Sequence, residues 1–121
     1  MKIRIRGNSV RYRLTKTEVA TFCQTGHYTE TTLFNTQKLV YELRSKKNIA
    51  GLQADFVDNT ITVFVPEKEA DTWADSPKVG FKNEYKLDTG GVLSLLVEKD
   101  FVCLDERDED ESDNYPNPLA E

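Results

Sequence analysis

Apolar and polar residues alternate from the start of the chain. Ile3 and Ile5 are interleaved with Lys2, Arg4 and Arg6, and Val10, Tyr12 and Leu14 with Arg11 and Arg13. A period of two predicts a pair of half-buried strands. Between them Gly7-Asn8 is the kind of dipeptide that closes a two-residue hairpin, because both residues tolerate positive φ. Thr15 with Glu18 three residues later makes a capping box. Val19, Phe22 and Cys23 give the helix that follows one apolar face, and Gly26 stops it. Strands are expected near residues 27–34 and 38–44, with Lys46-Lys47-Asn48 as a loop.

The pattern then returns at an offset of 51 residues: Asn8 falls on Asn59, Val10 on Ile61, Tyr12 on Val63, Glu18 on Glu69 and Phe22 on Trp73. Asp58-Asn59 becomes a second hairpin turn, and Pro66 suits the start of a second helix. Two more strands follow, near 77–85 and 91–98. The last, with Val92, Leu93, Leu95, Leu96 and Val97, is apolar on both faces and therefore expected in the centre of a sheet. The predicted fold class is α+β, mostly β: about eight strands and two short helices, a duplicated ββαββ unit forming a compact barrel or paired sheets. The expected organisation is one globular domain over 1–103, with internal repeats at 1–47 and 51–98, and an acidic, proline-containing tail over 104–121.

Charge changes this picture more than composition does. The whole chain carries a net −5, but residues 99–121 hold nine acids against Lys99 and Arg107, which leaves residues 1–98 slightly basic. The first thirteen residues contain five cations and no acid. With a turn at Gly7-Asn8, Arg4 stands opposite Arg11 and Lys2 opposite Arg13, so one hairpin face is wholly cationic. Like charges directly opposite one another destabilise a sheet, and an anion is expected beside them. At the repeat offset the corresponding positions are Gln53, Asp55, Thr62 and Phe64, so the unit itself does not require those cations. Lys2, Arg4, Arg6, Arg11 and Arg13 are therefore the candidate anion- or partner-binding residues. Three sources of the anion fit: carboxylates on neighbouring strands such as Glu30, Glu42 or Glu84, the acidic tail itself, or an acidic partner, protein or nucleic acid.

Catalysis finds little support. His27 follows the predicted helix end, Cys23 lies on the apolar helix face, and Cys103 is surrounded by acids that would raise a thiol pKa. Asp108, Asp110 and Ser112 alternate as calcium ligands do, yet the glycine and glutamate of an EF-hand loop are replaced by Asp113 and Leu119. Neither a cofactor nor a metal is expected. No apolar run is long enough for a membrane span, no disulfide framework exists, and a cytoplasmic, non-enzymatic binding or accessory protein is the expectation. Tyr115-Pro116-Asn117-Pro118 after the acidic run looks like a docking element.

Residues Met1 to Ser9 with Arg11, Arg13 and Leu14, Asn59 to Val63, Val97 to Phe101 with Cys103-Leu104, and Tyr115 to Pro118 resemble a small uncharacterised bacterial family, a domain of unknown function. That resemblance covers nearly the whole chain and implies no activity. A local stretch, Gly7-Asn8-Ser9-Val10-Arg11 followed by a capped helix, is similar to the swapped-hairpin fold of MazE-type antitoxins and AbrB-type regulators. This second resemblance implies a barrel in which Arg4, Arg6, Arg11 and Arg13 would contact DNA, and a tail that binds a protein. The chain departs from that pattern at Arg13-Leu14-Thr15, where those regulators have an Ile-Pro.

Overall fold

The computed structural model describes residues 1–101 and 111–116. The elements run β1 (Lys2–Ile5), β2 (Ser9–Leu14), α1 (Lys16–Thr25), β3 (His27–Leu33), β4 (Lys38–Lys46), β5 (Gln53–Val57), β6 (Thr60–Pro66), α2 (Glu67–Thr72), β7 (Gly80–Lys86) and β8 (Val92–Lys99), with one 3-10 turn at Trp73–Asp75 after α2. Each follows from local chemistry. In β2 Val10, Tyr12 and Leu14 are buried and the residues between them are not. Thr15 and Glu18 close the expected capping box on α1, and Gly26, at φ +83, ends it by donating to Phe22 O at 2.8 Å. Asp58 and Asn59 both take positive φ in the second hairpin turn, whereas in the first only Gly7 does.

The strands form two four-stranded sheets, ordered β1-β2-β8-β7 and β3-β4-β6-β5. No closed barrel forms among the described residues, so of the two expected arrangements paired sheets are the one adopted. The closed barrel implied by the swapped-hairpin resemblance is absent from this arrangement. The two halves exchange hairpins. In each sheet the first hairpin of one half joins the second hairpin of the other through a parallel pair, β2–β8 or β4–β6. The registers match as well: Tyr12 stands beside Val97, and Val63, at the repeat offset from Tyr12, stands beside Leu43. β8 lies between β2 and β7, the central place its two apolar faces predicted.

One core joins both sheets and both helices. Tyr12, Leu14, Val19, Phe22, Leu43, Val63, Val65, Trp73 and Val97 are all at most 1% exposed, and burying each large apolar side chain contributes roughly 1.5–3 kcal/mol. Tyr12 spans the sheets: its hydroxyl donates to Ile61 O at 2.9 Å, and its ring lies 6.2 Å from that of Tyr41. Trp73 meets Phe22 edge-on and Phe81 at 4.9 Å, which seats the second helical segment on the first. Gly80 permits the close approach of β7 to β8, since a Cβ there would lie 2.2 Å from Val97 O.

Candidate functional site

The β1–β2 hairpin has the register predicted for it: Lys2 pairs with Arg13, Ile3 with Tyr12, Arg4 with Arg11 and Ile5 with Val10. Its turn is closed by Arg6 N donating to Ser9 O at 3.2 Å, and by the Ser9 hydroxyl donating to Arg6 O at 2.8 Å. Asn8 ties the turn to β8, donating from Nδ2 to Val92 O at 2.6 Å and accepting from Ser94 N at 3.0 Å. The hairpin is thus a fixed platform. On its outer side Lys2, Arg4, Arg11 and Arg13, with Ile3, line a shallow depression of about 280 Å³.

Among the described residues Glu98 and Asp100 meet these cations, and neither is among the strand carboxylates expected. Glu98 lies between two arginines: Arg11 Nε donates to its Oε1 at 2.7 Å and Arg13 Nε to the same oxygen at 2.9 Å. Lys2 Nζ is 3.0 Å from Oδ2 of Asp100, a residue only 2% exposed. That contact is an ion pair by distance, and among the described residues Oδ2 is a buried oxygen with no hydrogen-bond donor. Glu30 instead meets the Met1 ammonium at 2.8 Å, Glu42 pairs with Arg44 at 2.6 Å, and Glu84 accepts from the Ser94 hydroxyl at 2.6 Å. The reason for the correction is topological. The strand beside β2 is β8, which brings Glu98 to Arg11 and Arg13, and Asp100 just after it to Lys2.

Arg4 and Arg6 differ from the other three. Both are exposed, and among the described residues neither forms an ion pair. The second sheet shows what the same scaffold does elsewhere. Phe64 stands at the position of Arg13, and the central strand beside it presents Arg44 where β8 presents Glu98. Lys46 there lies over the Phe64 ring at 4.8 Å and donates to Gln53 Oε1 at 3.4 Å. One sheet has a basic outer face and the other a mixed one.

The described part of the C-terminal tail docks on the start of α1 and on the backbone of Asp100. Thr17 Oγ1 donates to Asp113 Oδ1 at 3.0 Å and Lys16 N to Asp113 O at 3.0 Å, so the segment satisfies donors in the first turn of α1. These bonds to Thr15 and Thr17 outweigh the slight desolvation and hold the Asp113 carboxyl below the usual range. Tyr115 N donates to Asp100 O at 2.8 Å, and the Tyr115 ring sits 5.8 Å from Phe101 and 5.0 Å from Lys99 Nζ. Lys99 is 5% exposed, donates to Ser76 O at 2.6 Å and has its pKa lowered by burial. Asp100 is the junction, since its amide donates to Leu14 O at 2.8 Å, its carbonyl receives Tyr115 and its carboxylate faces Lys2. Cys103, Asp105 to Asp110, Asn117, Pro118 and Leu119 lie outside the described residues.

The remaining candidates for chemistry do not converge. His27 is exposed at the start of β3. Cys23 is partly buried against the 3-10 turn, and burial pushes its thiol pKa up. Among the described residues no three His, Cys, Asp or Glu side chains gather as metal ligands would, and no helix is long and apolar enough to cross a membrane. Sequence reasoning found the cations and missed Glu98 and Asp100. The signal available for them was their position at the end of the one strand whose composition placed it centrally.

No curated protein and no solved structure matches the chain. A family model described as a family of unknown function, DUF7009, matches residues 1–119, and the chain belongs to that family.

Proposed function

We propose that this chain is a non-enzymatic binding protein whose N-terminal hairpin face engages an acidic protein partner. One observation carries the reading: Arg4 lies opposite Arg11 in the ladder, exposed, at the rim of the depression, with no carboxylate of the described residues paired to it. Two buried or half-buried acids already neutralise part of the face. What is left over is a cation that opposes another cation and contributes nothing to the core. The repeat unit manages with Asp55 at the same place.

The test is a titration of the full chain with an acidic peptide, duplex DNA and RNA, each between about 50 and 200 mM salt. Peptide binding that weakens with salt and is lost in Arg4→Glu, with the fold intact, supports the reading. Tighter, salt-dependent binding of either nucleic acid would overturn it in favour of a DNA- or RNA-binding regulator. Binding of none of the three at low salt would overturn both.

A further inference from the structure

The outer edge of β1 carries three features that the basic face alone does not explain. β1 ends its sheet, and no described strand pairs with its free side. In an antiparallel ladder alternate residues aim their backbone groups at the partner. Since Arg6 bonds to Ser9, Arg4 and Lys2 also face β2, and Ile3 and Ile5 turn their N–H and C=O groups outward. Among the described residues nothing receives those groups. On the inner face Ile5 is 56% exposed, although Val10 across from it belongs to the core and Ile3 packs against that core. On the outer face stand Arg4 and Arg6.

Unpaired backbone between an uncovered isoleucine and two arginines that meet no carboxylate of the described residues has one simple complement. We propose that β1 accepts, as an added strand, an extended segment of a partner protein in which acidic and apolar residues alternate. Main-chain bonds to Ile3 and Ile5 supply affinity, and alternate side chains supply specificity. The carboxylates lie beside Arg4 and Arg6, and an apolar side chain covers Ile5. Charge decides against a second copy as the occupant, because pairing two β1 edges would set arginine near arginine, the usual protection of an edge strand against its own kind. The proposal rests on the acidic-partner reading and specifies how that partner binds.

The probe is a short blocked peptide alternating glutamate and valine, added to the isotopically labelled full chain. Strand addition requires the Ile3 and Ile5 amides to shift and to become protected from exchange at saturation. It also requires affinity to fall about tenfold or more when the peptide is N-methylated on the side facing β1, and again in Ile5→Ser. Binding that N-methylation does not change, with the Ile3 and Ile5 amides still exchanging freely, overturns strand addition and leaves the acidic-partner reading standing. Failure of the unmodified peptide to bind at low salt overturns both. Circular dichroism of Ile5→Ser, whose side chain is largely outside the core, verifies that the variant is folded.

Discussion

Arg4 lies directly across the β1–β2 ladder from Arg11, and among the described residues Arg11 has a carboxylate beside it while Arg4 has none. Opposed like charges on a sheet cost about 0.2–1 kcal/mol relative to neutral pairs. Arg4→Thr is therefore expected to raise unfolding stability by up to about 1 kcal/mol in urea titrations while weakening binding of an acidic peptide. Equal or lower stability in the variant would show that Arg4 is a structural residue.

Glu98, on β8, holds the two arginines of β2. Its Oε1 accepts from both Arg11 and Arg13, and the side chain is mostly shielded from water. Glu98→Gln is expected to cost about 1 kcal/mol, after discounting for the solvent that reaches both arginines. The same change frees two guanidinium groups, so acidic-peptide affinity should rise severalfold. Calorimetric titration of the variant beside the parent measures both, and a fall in affinity would mean that Glu98 orients the arginines for the ligand.

The Glu18 carboxyl makes stability depend on acid. Burial pushes its pKa up, but hydrogen bonds from the Met1 ammonium and from Thr15 outweigh burial and leave it below the ordinary 4.5. A lowered folded-state value means the contribution is complete above the unfolded value and fades as pH falls through the folded one. Unfolding free energy should therefore decline below about pH 5, and Glu18→Gln should flatten that decline. A profile identical in the two proteins would assign the acid sensitivity to other carboxylates.

Tyr115 fastens the C-terminal segment. It stacks near Phe101, faces Lys99 and donates its amide to Asp100. Losing the ring pair and the cation–π contact in Tyr115→Ala should reduce stability by about 2 kcal/mol. Hydrogen exchange should quicken at Lys16 and Tyr115, whose amides depend on that docking, and leave the centre of β2 unchanged. Quickening of β2 as well would mean that the segment is part of the cooperative core.

Much of this was legible in the chain, because much of it is local. The hairpin register follows from a turn dipeptide flanked by period-two residues, and the start of α1 from Thr15 and Glu18. The place of β8 follows from apolar residues at every position from Leu95 to Val97. What escaped depends on distance along the chain. Arg11 and Glu98 are 87 residues apart, and Thr17 and Asp113 are 96 apart. No local period reports that β2 will lie parallel to β8, so Glu30, Glu42 and Glu84 read as neighbours as eligible as Glu98. The exchange of hairpins between halves was equally hidden, since a repeat offset is the same whether each unit closes on itself or on its twin. A barrel and two open sheets likewise share one pattern.

That exchange sets the order in which the molecule can be made. Neither sheet has its central parallel pair until strands from both halves exist, and the basic hairpin waits longest, because its neighbour β8 is the last of the described strands to be synthesised. Contacts so remote in sequence delay folding, since the loop must close before they can form. The nascent N-terminal segment should therefore stay protease-sensitive on stalled ribosomes until residues 92–99 have emerged, with its five cations displayed to whatever acidic chain or chaperone is near. A hairpin resistant to protease before that point would show that β1 and β2 are stable without their neighbour.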